Sequence, residues 1–390
     1  MTMVPIGDVT EVKGGGTPSK RKPEYYQGDI PWVTPKDMKV WDISDAIDKI
    51  TPEAVADSAT NLIPARSILL VNRSGILKHT LPVGITRREV AINQDLKALI
   101  CSDRAHPEYL AHIVKAAEPI ILKWVRATTA DNFPIDSLKE LKIPLPTLDE
   151  QRRIAGILDQ ADALRRLRSR ALDKLNTLGQ AIFHEMFGDP ATNPKGWPMG
   201  VIGDLLKEAK YGSSGKANSE GRGLPMLRMG NVTYDGRIDL SDLKHIELSD
   251  KEFDKYTTRP GDLLFNRTNS KELVGKTAVV TQAEPMAIAG YLVRGRANAR
   301  GNTHYISGYL NSTHGKAVLR NMCKNIVGMA NINAKEFQSI PTAIPPVEIQ
   351  RVYAEKLMSL RAEEAQFQAS LDIASTLFAS LQHRAFKGEL

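Results

Sequence analysis

The side chains with most to offer chemically are two small sets of cations and amides that sit beside glycines. Gly14-Gly15-Gly16 is followed by Lys20, Arg21 and Lys22, and Asn72-Arg73-Ser74 comes directly after an apolar run. Later in the chain Gly212-Ser213-Ser214-Gly215 is followed by Lys216 and Arg222, and Asn266-Arg267-Thr268 comes after a second apolar run. Glycine lets a backbone approach a ligand closely, and cations neutralise phosphates. Arginine bonds bidentately to guanine and asparagine to adenine. The chemistry on offer is therefore binding of a nucleic acid, with contacts to phosphates and to base edges. An Asn-Arg pair after a strand can equally close a turn, and a duplicated turn would recur as well, so the residues alone leave both readings open.

Chemistry that would make the chain an enzyme does not emerge from the sequence. Gly14 to Lys20 lacks the spacing of a phosphate loop, and Gly215-Lys216 is followed by Ala217 where such a loop needs Ser or Thr. No Gly-x-Gly-x-x-Gly follows a strand, so no dinucleotide or S-adenosylmethionine site is expected. Asp189-Pro190-Ala191-Thr192 falls short of the Asp-Pro-Pro-aromatic pattern of amino-methyltransferases and fits a loop that ends a helix. The eight histidines are scattered, His184 lying near the end of a long helical stretch. The two cysteines, Cys101 and Cys323, are too few for a zinc cluster and fit reduced thiols. The expectation is no catalytic residue, no metal and no cofactor.

The elements that must position the cations are written twice. Ile6-Gly7-Asp8-Val9 recurs as Ile202-Gly203-Asp204-Leu205, and Asn72-Arg73-Ser74 as Asn266-Arg267-Thr268. Ile143-Pro144 with Gln151-Arg152 recurs as Ile344-Pro345 with Gln350-Arg351, and Phe187-Gly188 as Phe386-Lys387-Gly388. A nearly constant offset over half a chain marks a tandem duplication, with a period far beyond the roughly 20–50 residues of solenoid repeats. Two similar domains imply two similar targets held at a fixed distance. Short apolar runs predict strands at Ser67–Val71, Leu96–Ile100, Asp262–Phe265 and Thr277–Val280. Helices are predicted over Pro107–Lys115 and from about Tyr305 to Asn321.

From Asp149 the texture changes. Apolar residues step by threes and fours from Ile154 through Leu164, Leu167 and Leu178 to Met186, and again from Tyr353 through Phe367 and Phe378 to Ala385, with Glu364 the one polar intruder. Each stripe predicts a helix of roughly 55–60 Å. A stripe that long needs a partner, and the other copy is the obvious one; the competing arrangement packs each helix on its own domain. Arg165, Arg166, Arg168 and Arg170 form a charge run that fits a solvated face or an acidic protein partner better than phosphate contacts. The fold class expected is α+β: two similar mixed α/β domains separated by two long antiparallel helices. The divisions fall at 1–147, 148–188, 189–346 and 347–390.

Composition sets the outer limits. At 390 residues, 42% hydrophobic and 25% charged, the chain is ordinary globular material split into domains. A net charge of +7 favours a polyanionic partner. No run of about 18 apolar residues predicts a membrane span, and the first residues lack a signal-peptide pattern, so a cytoplasmic location is expected.

Taken together these residues resemble the specificity subunit of Type I restriction–modification systems. The resemblance rests on the Ile-Gly-Asp opening followed by glycines, and on Ile143-Pro144-Leu145-Pro146 with Glu150-Gln151-Arg152-Arg153-Ile154 leading into a long helix. It rests also on Met186-Phe187-Gly188-Asp189-Pro190 at the helix exit, on Trp197, and on the repeat itself. It implies two target-recognition domains, each reading one half of a split double-stranded DNA sequence, with the helices setting the gap. It implies two docked methyltransferase subunits and further nuclease/translocase subunits, which would carry all catalysis. Two departures stand out: Val347-Glu348-Ile349-Gln350 lacks the Glu-Gln pair of Glu150-Gln151, and the second glycine loop is poorer in glycine. Two other classes compete. A self-sufficient DNA methyltransferase or nuclease would need a donor loop or an acidic metal cluster. A scaffold joining proteins without reading DNA would show no sequence-specific binding.

Overall fold

The computed structural model describes residues 2–125, 131–323, 329–387 and 389–390; Met1 and Gly388 lie outside them. The chain divides into two compact units, Met1–Ser169 with Ala369–Leu390, and Arg170–Gln368.

In the first unit the apolar runs become strands because every residue of Ile68–Val71, Val83–Thr86 and Val90–Ile92 is buried. Five strands lie in the order Thr10–Gly14, Leu96–Cys101, Ile68–Val71, Val83–Thr86, Asp42–Ile43. Four more lie in the order Asp48–Ile50, Ile30–Val33, Val90–Ile92, Leu62–Ile63. Helix Pro107–Ala116 starts on a proline suited to the first turn and buries Tyr109, Leu110, Ile113 and Val114.

The second unit repeats this order. Leu206–Tyr211, Leu292–Ala297, Leu263–Asn266 and Thr277–Val279 form one sheet, and Lys244–Ile246, Leu224–Leu227 and Ala287–Ile288 another. The duplication in sequence is therefore a duplication in topology. One expectation is corrected here. The stretch from Tyr305 to Asn321 is two helices, Thr303–Asn311 and Thr313–Met322. Ser312 breaks it: its hydroxyl donates to Tyr309 O at 2.6 Å and accepts from the Gly315 N–H at 3.0 Å, capping the second helix.

The long helices span Leu148–Phe187 and Val347–Lys387. In the first unit the start of one packs on the end of the other: Ile154, Ala155, Leu158 and Ala385 share one core, and the Arg165 guanidinium lies 5.6 Å from the Phe378 ring. In the second unit Gly179 faces Leu357 and Leu360, and Phe183 stacks edge-on against Tyr353 at 5.6 Å. Within each unit the two helices thus run antiparallel. The stripe is not covered throughout, since Leu164 (53%), Leu167 (59%) and Leu178 (42%) are exposed.

The recurring glutamines have one structural job. Gln151 is fully buried, accepts the His106 N–H at 2.8 Å and donates to Arg104 O (3.0 Å) and Pro146 O (2.9 Å). Gln350 is fully buried too, accepts the Asn302 N–H at 2.8 Å and donates to Arg300 O (3.0 Å) and Pro345 O (2.7 Å). Each bolts the first turn of a long helix to its own domain. At the far end of the first helix Gly188, at φ +82°, ends the turn and Trp197 Nε1 donates to Phe187 O. Among the described residues no helix is long and apolar enough to cross a membrane.

Each unit also ties its domain to its helices by a second contact. In the first, Trp41 stacks on His112 at 4.8 Å, Arg166 sits 5.9 Å above Trp41, and His112 Nε2 lies 2.8 Å from Asp159. In the second, Glu364, 3% exposed, pairs with Arg361 at 2.9 Å and with Arg237 at 3.3 Å, and Arg237 also bonds Asn176. The polar intruder in the apolar stripe is the anchor of that contact.

Candidate nucleic-acid interface

The glycine loops come first because their glycines are forced by close approach. A Cβ on Gly15 would lie 1.9 Å from Ile92 O, and one on Gly212 would lie 2.3 Å from Ile288 O. The next residues hold the same ladder position: Gly16 N–H donates to Ile92 O and Ser213 N–H to Ile288 O. These glycines seat the loops on the sheet and leave the cations after them near the surface. Lys20 and Arg21 are exposed there. Lys22 donates to Tyr25 Oη at 2.5 Å and stands 3.7 Å from Asp57, and the Tyr25 bond holds its ammonium above the usual range. Lys216 is exposed, and Arg222 pairs with Glu220 at 2.9 Å.

The Asn-Arg pairs occupy the same corner of each sheet, slipped by one place. The strand Ile68–Val71 ends on Val71, paired with Leu96, and Asn72 N–H donates to Asp95 O. The strand Leu263–Asn266 runs one residue further, Asn266 paired with Leu292, and Arg267 N–H donates to Tyr291 O. By register Arg267 stands where Asn72 does, and Thr268 where Arg73 does. The side chains differ accordingly. Asn72 donates to Phe133 O at 2.8 Å, Arg73 pairs with Asp95 at 2.6 Å, and Ser74 caps the short turn Gly75–Lys78. Asn266 is fully buried with neither amide atom partnered. Arg267 lies 4.7 Å over the Tyr211 ring and donates weakly to Gly290 O, while Thr268 donates to Asn331 at 3.0 Å.

In the second unit Ser213–Gly215, Arg267 and Thr268 come together on one concavity of about 840 Å³. Lys216 and Arg222 line a neighbouring depression of about 470 Å³ that shares Ser213 and Gly215. Arg228, Lys276 and Tyr291 also line the larger one, and sequence reasoning missed them. These have no counterpart of the same type in the first half, so repetition in the sequence does not mark them. Arg228 opens a turn in which its N–H bonds Asn231 Oδ1 at 2.9 Å; the same turn in the first unit joins Thr34 N–H to Asp37 Oδ2 at 2.9 Å. Pairing the two turns would have exposed the Thr-to-Arg difference.

Other arginines are occupied by carboxylates. Arg294, 1% exposed, pairs with Glu208 at 3.2 Å, and Arg296 pairs with Asp262 at 2.8 Å. In the first unit burial opposes ionisation of Glu108, yet bonds from Arg66 and Arg87 hold its carboxyl down at about 2. Arg165 and Arg166 of the charge run both pair with the buried Asp162. Among the described residues no His, Cys, Asp or Glu group is placed to hold a metal ion. Both thiols are free, and burial pushes Cys101 up to about 12.

Comparison with known proteins bears on the same division. Residues 1–177 match the family described as the Type I restriction modification DNA specificity domain. The chain is similar to the Type I restriction enzyme EcoR124I/EcoR124II specificity subunit of Escherichia coli, 41% identical over 162 residues, which is 41% of this chain and 40% of that protein. It is similar to the Type I restriction enzyme MjaIX specificity subunit of Methanocaldococcus jannaschii, 29% identical over 278 residues, 65% of this chain and 63% of that protein. Both matches span less than two thirds of the relative's own length. In fold, it is similar to the S subunit of a Type-I restriction-modification system from M. genitalium, with a TM-score of 0.62 at 14% identity over 99% of this chain and 96% of that one.

Proposed function

We propose that this chain, which belongs to the family of Type I restriction–modification specificity subunits, is the DNA sequence-recognition subunit of such a complex and leaves catalysis to its partners. The observation that carries this reading is the doubled sheet topology, which sets a glycine-seated basic loop beside an Asn-Arg corner in each copy. Each domain, 1–147 and 189–346, reads one half of a split double-stranded target. The helices 148–188 and 347–390 set the gap between the halves.

Two methyltransferase subunits dock on the helices, and restriction/translocase subunits join them. Support for docking comes from Leu164, Leu167 and Leu178, exposed large apolar side chains on a long helix. The test is reconstitution. The chain alone should neither methylate nor cleave DNA, and with its cognate methyltransferase subunit it should direct modification to one split sequence. Sequence-specific methylation by that subunit without this chain would overturn the proposal.

A further inference from the structure

The larger concavity of the second unit holds three cations that the protein itself leaves without a full set of acceptors. Arg267 has a carbonyl, Gly290 O at 3.4 Å, and the Tyr211 ring face as its neighbours, and its Nε is buried with no partner. Arg228 spends one amino group on Asp242 at 2.8 Å, while its Nε is likewise buried and unpartnered. Lys276 lines the same space, and burial pulls its ammonium below the usual range. Arg296, by contrast, spends its Nε on the Asp262 carboxylate at 2.8 Å. A buried donor left unpaired is costly, because it has given up water and gained no partner. Two such arginines with Lys276 beside them, around about 840 Å³, describe a seat for an acceptor-rich group.

The matching corner of the first unit is built differently. There Asp95, whose carbonyl receives the Asn72 N–H as Tyr291 receives that of Arg267, brings a carboxylate that closes on Arg73 at 2.6 Å, whereas Tyr291 brings none. Thr34 stands where Arg228 does.

We propose that this concavity takes the major-groove edge of a guanine in the half-site read by the second unit, with Arg267 and Arg228 as its specificity-determining residues. The proposal rests on the reading of the chain as a DNA-recognition subunit. Guanine is the base whose edge sets two acceptors, O6 and N7, side by side for a planar guanidinium fork. The Tyr211 ring, 4.7 Å from the Arg267 guanidinium carbon, backs that fork on one side. Phosphate offers the same acceptors, and the experiment separates the two.

The full chain is assembled with its cognate methyltransferase subunit and offered a library of targets varied at each position of both half-sites. Variants are Tyr291→Asp, Arg267→Lys and Arg228→Ala. Tyr291→Asp puts a carboxylate on the wall of the concavity that Arg267 and Arg228 line, at a position that is 51% exposed. Arg267→Lys keeps the charge and removes the fork. Each is expected to lower the preference for guanine at one position of one half-site by about 5- to 150-fold, the worth of a bidentate contact, and to leave the other half-site as it was. An equal fall for all sequences with a shallower salt dependence would assign these cations to phosphates and overturn the proposal. Unchanged preferences in Tyr291→Asp and Arg267→Lys, or a second-unit half-site without guanine, would overturn it too. Wild-type complex with no sequence preference at all would instead remove the underlying reading of function.

Discussion

Lengthening both helices together should lengthen the gap in the recognised DNA and change nothing else. The perturbation is a pair of seven-residue helical insertions, one between Ser169 and Arg170 and one between Gln368 and Ala369, where the two units meet in the chain. Seven residues add about 10.5 Å and about two turns, leaving the helix some 20° out of phase. Contacts inside each unit are preserved, because Arg165 stays opposite Phe378 and Gly179 opposite Leu357. At about 3.4 Å per base pair the gap should grow by at most about three base pairs.

Inserting the same seven residues in the first helix alone is a different experiment. It slides the halves past each other by about 10.5 Å, so one unit must give up its helix contacts. In the second unit that means unseating Phe183, 1% exposed and set against Phe187 at 5.0 Å, Tyr305 at 5.8 Å and Tyr353 at 5.6 Å. Loss of one such buried aromatic costs about 3–5 kcal/mol. The assay is methylation, by the reconstituted complex, of sites that differ only in gap length. A folded, active double-insertion protein with an unchanged preferred gap would refute the idea that the helices set the distance.

Local geometry gives two further outcomes. Because the Glu108 carboxyl is held at about 2 against an ordinary 4.5, its ion pairs stabilise the protein above that ordinary value, and the contribution drains away as pH falls toward 2. Glu108→Gln should therefore flatten the fall of Tm between those values and lower Tm at neutral pH; equal slopes in both proteins would contradict this. Gly15→Ala and Gly212→Ala each drive a methyl into a backbone carbonyl, at 1.9 and 2.3 Å, and should cost at least about 1–3 kcal/mol in denaturant unfolding. Gly75→Ala, whose Cβ meets open space, should stay within about 0.5 kcal/mol, and parity among the three would show that close approach is not why the loop glycines are there.

Periodic features were the legible ones. The stripe beginning near Asp149 located a helix that runs from Leu148 to Phe187, and the apolar run at Leu96 located a strand that ends at Cys101. Burial writes these patterns directly, one residue in every turn or every second place. The break at Ser312 was not legible, because a serine that caps a helix and a serine on its wet face look alike until the partners of its hydroxyl are known. The corner residues failed for a different reason. Asn72-Arg73 and Asn266-Arg267 match as letters, yet one strand is a residue longer, so a match by motif hides a slip by register. Arg228 and Lys276 carry no mark of repetition, since they belong to what the two halves do not share.

The unlike ties between domain and helices bear on modularity. In the second unit Arg237 belongs to the domain and Glu364 to the helix, and a junction cut at residue 346 would hand them to different donors in a chimera. A transplanted domain lacking Arg237 would leave a carboxylate, 3% exposed, with Arg361 alone. In the first unit a cut at the start of the long helix would likewise part Trp41 and His112 from Asp159 and Arg166. Graft boundaries for this architecture therefore belong within the long helices, at 169/170 and 368/369, where each domain travels with the half-helices that were shaped to receive it.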